Sequence, residues 1–172
     1  MAAAARLVRG ATAGMVLCRD RATRPLPGLD GDALLAEGSP VVSIARSCID
    51  DGRVFASFLW PRGGRHAPDG HVRVTVLAAP GEASARLLGT VVLSPVTHLR
   101  GLTPRELEVL GLLVDGCSNQ QIARALVVAP RTVAAHLEHV LVKLDAPTRT
   151  LAAVRAEREG LYVPLVPSPC RA

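Results

Sequence analysis

The chain has 172 residues, of which 49% are hydrophobic and only 2% aromatic, so it can form one domain or two small ones with an aliphatic core. Its net charge of +5 is compatible with a polyanionic partner but does not demand one. No apolar run approaches the roughly 18 residues of a membrane-spanning helix, so the composition predicts a protein without a membrane partner.

The four cysteines, at positions 18, 48, 117 and 170, are far apart and form no Cys-x-x-Cys pair. Such spacing gives little support for a metal site or a disulfide framework. Cys48 and Cys117 stand in apolar surroundings, which favours buried free thiols. This use of cysteine predicts a reducing, cytoplasmic location.

Residues 1–32 are predicted to be a flexible N-terminal segment. The Ala-rich start superficially suggests a signal or transit peptide, but Arg6 and Arg9 interrupt its apolar run and no convincing cleavage site follows. A short helical or disordered start is therefore favoured. Residues 19–32 are rich in Arg, Pro and Gly, as is typical of a loop or linker.

Residues 33–95 are predicted to form a small α/β region. The sequence indicates a short helical turn at 33–37, and it fits either a strand or a helix at 41–51. Strands are predicted at 54–60, 71–77 and 87–93. We expect the last two to form an antiparallel hairpin, which must pack on something else because two strands alone are marginally stable.

No constellation of residues indicates catalysis or metal binding. There is no phosphate-binding loop, nucleophile elbow or Ser-His-Asp order. His66 and His71 lack further ligands nearby, and His136 and His139 lack a third ligand. The chain is therefore predicted not to be an enzyme, with no catalytic residues, no metal and no cofactor.

Residues 102–144 predict three short helices, of which the first two begin with a capping box. Thr103 and Glu106 have the spacing of such a box, and Pro104 fits the first helical position, where no amide hydrogen is needed. Ser118 and Gln121 repeat the pattern at the second helix. The helix starts can therefore be placed from the sequence.

The third predicted helix begins at Pro130 or Arg131 and has one apolar face. Apolar residues recur at helical spacing at positions 133, 137, 140, 141 and 144, and the opposite face is mainly polar. Two amphipathic helices joined by a turn of about four residues are typical of a helix-turn-helix. Spacing alone leaves a small helical bundle equally open.

The motifs LTPRELEVL, GxSNQQIA and RTVxxHLxxVLxKL resemble the LuxR-type (NarL/FixJ) helix-turn-helix of bacterial transcription regulators. The resemblance covers residues 99–163 and implies an α+β fold class, with a C-terminal four-helix bundle after a small antiparallel-sheet segment. Its fourth helix spans about 149–159, with Thr148 as the N-cap and Gly160 at its end. Residues 164–172 are predicted to be a disordered tail.

The region before this bundle is similar to a truncated GAF- or PAS-like sensor, although it carries no diagnostic motif. A phosphoacceptor receiver domain fits worse. Asp50 and Asp51 do not end an early strand, and no regular alternation of strands and helices follows them. No phosphorylation site is therefore expected.

The LuxR-type resemblance implies a transcriptional regulator that binds double-stranded DNA with a recognition helix at about 130–144 in the major groove. It also implies a homodimer through the helix at about 149–159, on a two-fold site, with RNA polymerase as a candidate partner. Phosphate contacts are expected from Ser118, Asn119, Gln120, Arg131, Thr132 and Lys143. Base contacts are expected from Ala134, Ala135, His136, Glu138 and His139.

Some positions depart from the family pattern. Ala134 replaces a usual Lys, and Glu138 stands where polar or basic residues are common. The alternative is therefore a protein-interaction or signal-binding module with weakened, non-specific DNA binding. Val127 replaces a common Gly and resists positive φ, while Ala129 cannot cap a helix, so a slightly different turn is expected.

Overall fold

The computed structural model describes residues 10–64, 66–80 and 86–165. The chain divides into two compact units, one of Met1–Ser57 with Val72–Pro95 and the other of Phe58–His71 with Val96–Ala172. Within the described ranges there are five α-helices, one 3₁₀ turn and five strands. The predicted α+β fold class is confirmed.

The strands form one sheet in the order β2-β1-β5-β4-β3. Their bounds are Ala13–Cys18 for β1, Thr23–Pro25 for β2, Phe55–Pro61 for β3, His71–Ala78 for β4 and Leu87–Pro95 for β5. The predicted hairpin is confirmed, since β4 and β5 pair antiparallel from Val72 opposite Pro95 to Ala78 opposite Gly89. Pairing of β5 with β1 supplies the further support that two strands need.

Strand β1 shows that the prediction of a flexible segment over residues 1–32 is wrong in its centre. All six residues of β1 are buried, and the strand pairs with β5 on one side and β2 on the other. A strand that is buried on both faces is apolar throughout, so it lacks the alternation that would have identified it. Residues 1–9 of the predicted segment lie outside the described residues.

Helix α1 (Pro40–Asp50) resolves the choice between strand and helix at 41–51. Ser39 is its N-cap and accepts a hydrogen bond from the amide of Val42, and Pro40 occupies the first turn. The predicted helical turn is a 3₁₀ turn at Ala33–Leu35. A Cβ on Gly89 would lie 2.6 Å from Ile49 Cδ1, so this glycine allows α1 to approach the sheet closely.

The cysteines follow the prediction in part. Cys18 and Cys48 are both buried, and neither forms a disulfide. Cys117 is disulfide-bonded, so the expectation of a free thiol there was wrong. Spacing along the sequence cannot show which distant residues approach each other in the fold.

The second unit contains α2 (Pro104–Val114), α3 (Asn119–Leu126), α4 (Pro130–Lys143) and α5 (Arg149–Glu159). The four predicted helices are confirmed. Their shared core is aliphatic and includes Leu107, Leu110, Ile122, Val133 and Leu144, none of which has measurable solvent exposure. Burial of side chains of this size contributes about 1.5–3 kcal/mol each.

The segment after α5 packs on the start of the bundle. The Val163 amide donates to the Leu107 carbonyl at 3.1 Å, and the Leu59 amide donates to the Tyr162 carbonyl at 2.8 Å. The rings of Phe58 and Tyr162 lie 6.4 Å apart between centroids. These contacts lie within the second unit, to which the residues of β3 from Phe58 onward belong. Residues 166–172 of the predicted tail lie outside the described residues.

Within the described ranges, no single helix has the length and hydropathy to cross a membrane, and α3 with α4 meets that test only as a pair bent by 107°.

Candidate nucleic-acid interface

Both predicted capping boxes are present. The Thr103 hydroxyl accepts from the Glu106 amide at 3.3 Å, and the Glu106 carboxylate accepts from the Thr103 amide at 2.7 Å. Ser118 and Gln121 make the same reciprocal pair at 3.3 and 2.8 Å. These bonds satisfy amides that a helix start otherwise leaves unpaired, so they fix where α2 and α3 begin.

The turn between α3 and α4 differs from the expectation at Val127. This residue adopts the left-handed conformation, with φ 55° and ψ 52°. Glycine is the residue that most readily adopts this conformation. The residue is 87% exposed, so its side chain lies mainly in solvent. The Val128 amide closes the turn on the Ala123 carbonyl at 2.9 Å. Tertiary structure thus overrides the local preference, at a cost of roughly 1–2 kcal/mol.

Arg105 supports the same turn from α2. Its guanidinium donates to the Leu126 carbonyl at 2.7 Å and contacts the Glu108 carboxylate at 2.6 Å. The carbonyl at the end of α3 is thereby satisfied by a charged donor. As expected, Ala129 provides no side-chain cap, and Pro130 occupies the first turn of α4.

Helices α3 and α4 cross at 107°, within the range of about 90–120° that a helix-turn-helix uses. Val133, Leu137 and Val140 of α4 are buried, as is the C-cap residue Leu144. The line opposite this core consists of exposed residues spaced four, three and four apart, namely Arg131, Ala135, Glu138 and Val142. We call these four residues the outer line of α4.

The other predicted contact residues of α4 flank the outer line. Thr132, Ala134 and His136 are half-buried, and His139 is exposed. Val142 was not among the predicted contacts, although it is 81% exposed. Its position four residues after Glu138 is the sequence signal that could have identified it.

Lys143 is placed differently from the other predicted phosphate contacts. Its ammonium lies 2.7 and 3.0 Å from the two carboxylate oxygens of Glu106, whose side chain is 2% exposed. Burial raises the pKa of Glu106, but hydrogen bonds from Lys143 and Thr103 outweigh it and hold that pKa below its usual range. The structure thus pairs Lys143 with the protein itself.

At the start of α3, Ser118 and Gln120 are exposed and Asn119 is half-buried. The Asn119 side-chain oxygen accepts from Arg149 at 3.4 Å, and Arg149 also donates to the Cys117 carbonyl at 2.8 Å. The predicted contact residues of α3 therefore lie together at one helix end, where backbone amides and the helix dipole favour an anion.

Arg124 is a candidate contact that the sequence analysis missed. Its side chain is exposed and borders an open depression of about 620 Å³ beside Gln120, Val127 and Pro130. Among the described residues, neither Arg124 nor Arg131 has a side-chain hydrogen bond or ion pair, and no group of three or more potential ligands could hold a metal.

Comparison with known proteins identifies a family, several relatives and several solved structures that are similar to this chain. The family described as bacterial regulatory proteins, luxR family, matches residues 100–156. A putative HTH-type transcriptional regulator of Mycobacterium tuberculosis, Rv0890c, is 48% identical over 66 residues, covering 38% of this chain and 8% of that protein. The transcriptional regulatory protein LiaR of Bacillus subtilis is 45% identical over 60 residues, covering 35% of this chain and 28% of LiaR.

The chain therefore spans less than a third of either relative. Among solved structures, Vibrio cholerae VqmA is 24% identical over 70% of this chain and 63% of that chain, with a TM-score of 0.35. A likeness at this level does not assign a fold to the first unit. The segment that the family matches, residues 100–156, contains α2, α3, α4 and most of α5. Residues 100–156 are a helix-turn-helix domain of the bacterial LuxR family of regulatory proteins.

Proposed function

We propose that this chain is a transcriptional regulator whose residues 99–163 bind double-stranded DNA, with α4 in the major groove. The observation that carries the proposal is the 107° crossing of α3 and α4, combined with the exposed outer line of α4. In this arrangement the second helix of the pair projects a side-chain face that the core does not use. The names of the relatives support the same function.

The contacts divide by chemistry. Ser118, Asn119 and Gln120 would contact phosphates at the start of α3, with Arg131 and Thr132 at the start of α4. Arg124 is added to this set because it is exposed and unpaired among the described residues. Base edges would meet Ala134, Ala135, His136, Glu138, His139 and Val142.

We further propose a homodimer on DNA through α5, with each protomer on one half of a two-fold site. Leu151 and Val154 of α5 are half-buried within one protomer, so they retain apolar surface that a partner could cover. RNA polymerase is a further candidate partner, and the cytoplasm is the proposed location. The first unit is proposed to act as the sensor-like half.

A second function is favoured by the chemistry of α4. Glu138 places an exposed negative charge in the centre of the outer line, and Lys143 is held by Glu106. Both features weaken attraction to phosphates. The alternative is a protein-interaction or signal-binding module that binds DNA weakly and without sequence preference.

The test is fluorescence anisotropy with duplexes enriched from a random pool, titrated with salt. A specific regulator should enrich one two-fold site and bind it at least about 10³-fold more tightly than random duplex at physiological salt. Failure to enrich any site, with binding lost by about 0.15 M salt, would instead support the interaction module.

Arg131→Ala supplies the residue-level prediction for this function. We expect weaker binding to every duplex and a salt slope smaller by about one, because one phosphate contact is lost. Arg24→Ala is the matched control, since Arg24 is an exposed arginine in the first unit. If Arg131→Ala and the unchanged protein had equal salt slopes of DNA binding, Arg131 would not be a phosphate contact.

A further inference from the structure

The first unit contains a cleft between α1 and the β1–β2 hairpin. Its volume is about 710 Å³, within the range of about 300–1,000 Å³ that small-molecule sites occupy. Val42 of α1 and Leu88 of β5 give it an apolar part, and Thr23 and Ser47 line it with hydroxyl groups. Most of the lining is polar or charged.

Arg46 fixes the two walls of this cleft relative to each other. Its guanidinium extends from α1 to the hairpin, where it donates to the carbonyls of Cys18 at 2.9 Å and Arg21 at 2.8 Å. A longer bond reaches Ala22 at 3.4 Å. Because one charged side chain holds several carbonyls of the hairpin, the cleft is formed before any ligand enters.

The remaining charges of the cleft are separated by sign. Arg19 and Arg21 come from the hairpin, whereas Glu37 precedes α1 and Asp50 ends it. Among the described residues, none of these four side chains makes a hydrogen bond or an ion pair. Two positive and two negative groups therefore line one cleft without neutralising each other.

The hairpin backbone is strained at the same place. Arg21 has a φ of 67°, a conformation that is uncommon for residues other than glycine. The turn is held by the Asp20 carboxylate, which accepts from the Ala22 amide at 3.1 Å, and by Arg46. Strain of this kind persists where the surrounding structure imposes it, and it occurs preferentially at ligand sites.

We propose that this cleft binds a small zwitterion, a molecule with one carboxylate and one ammonium group such as a free α-amino acid or a dipeptide. The guanidinium groups of Arg19 and Arg21 would hold the carboxylate, since their planar donors match its two oxygens. Glu37 and Asp50 would hold the ammonium. A simple anion would be repelled by these acids and a simple cation by the arginines, so a ligand with both charges fits best.

The test is isothermal titration calorimetry of the full chain, without DNA, against single amino acids and dipeptides. We expect saturable binding of at least one zwitterion with a Kd below about 1 mM. N-acetylated and C-amidated forms of the same compound, which each lack one charge, should bind about tenfold more weakly or worse.

Variants on the two walls should separate the two charges. Arg21→Gln should weaken binding of the zwitterion more than binding of its C-amidated form, because only the zwitterion has the carboxylate that Arg21 would contact. Glu37→Gln should weaken binding of the zwitterion more than binding of its N-acetylated form, because only the zwitterion has the ammonium that Glu37 would contact. Arg24→Gln, outside the cleft lining, is the control and should leave binding unchanged.

The proposal is overturned if no zwitterion gives saturable binding up to about 10 mM. It is also overturned if the single-charge analogues bind as well as the zwitterion does. Thermal melts of each variant show that the unit is still folded. The readout needs no DNA, so this proposal and the proposed regulatory function can fail independently.

Discussion

At the scale of single residues, the Glu106 carboxylate connects two functions of the helical domain. It caps the start of α2 through the Thr103 amide and holds the ammonium of Lys143 from α4. A carboxylate that is 2% exposed needs such donors, because an unpaired buried charge is strongly destabilising. The position of α4 therefore depends in part on Glu106, which lies in the first turn of α2.

Lys143→Met is expected to lower the free energy of unfolding by about 2 kcal/mol, because it removes a charged donor from Glu106. The salt slope of DNA binding should stay unchanged, since the ammonium is already paired within the protein. Chemical denaturation and salt titration measure the two quantities. Lys143→Arg is the matched control and should retain most of the stability. A slope smaller by one with unchanged stability would instead make Lys143 a phosphate contact.

The lowered pKa of Glu106 predicts a pH dependence with a definite sign. A carboxyl group whose folded-state pKa lies below its unfolded value, near 4.5, stabilises the fold fully above that pH. The contribution is lost as the pH falls through the folded-state pKa. Urea unfolding at a series of pH values should show that Glu106→Gln lowers stability most above about pH 4.5 and progressively less below it. A difference that is constant with pH would contradict this account.

At the scale of elements, the helix starts were predictable and the partners of distant side chains were not. The two partners of each capping box, Thr103 with Glu106 and Ser118 with Gln121, are three residues apart, so both boxes can be recognised from the sequence. The pair of Glu106 and Lys143 spans 37 residues and depends on how α2 packs on α4. Strand β1 was not predicted, because a strand that is buried on both faces lacks the alternation of apolar and polar residues.

Glu138, in the outer line of α4, is the residue for which we predict an effect on the DNA sequence that is bound. Glu138 can only accept hydrogen bonds, so in the major groove it would favour a cytosine amino group. Glu138→Lys should replace that preference by guanine, whose O6 and N7 accept from a lysine. Enrichment from a random pool should show the change at one base pair per half-site. Asp30→Lys, an equal charge change in the first unit, should leave the enriched sequence unaltered. An identical site for Glu138→Lys would exclude Glu138 from base contact.

At the scale of the whole molecule, the chain folds as two units whose boundaries do not follow the sequence. Residues 58–71 belong to the same unit as the helix-turn-helix, although they lie between strands of the first unit. The Leu59 amide and the Phe58 ring reach Tyr162, and Val163 bonds to Leu107 of α2. Such a boundary could not be predicted from composition, because it is formed by contacts between residues that are far apart in the sequence.

Gly111→Ala tests the packing of the segment after α5 against α2. A Cβ at position 111 would lie 1.9 Å from the carbonyl oxygen of Val163, so the segment after α5 would have to move away from α2. We expect a loss of at least about 2 kcal/mol in the free energy of unfolding, within the range for overpacking. Ala125→Gly, which changes one methyl group in α3, should cost only about 1 kcal/mol. Equal effects of the two variants would show that the close approach is unimportant.

The left-handed Val127 has a consequence for how this domain can change over evolution. Hydrogen bonds from Val128 to Ala123 and from Arg105 to Leu126 hold the turn, so a residue that disfavours the left-handed conformation can stand at its centre. Its exposed isopropyl group can be exchanged for other chemistry without redesign of the bundle. A search that requires glycine at this turn would overlook proteins of this kind, whereas one built on the supporting residues would find them.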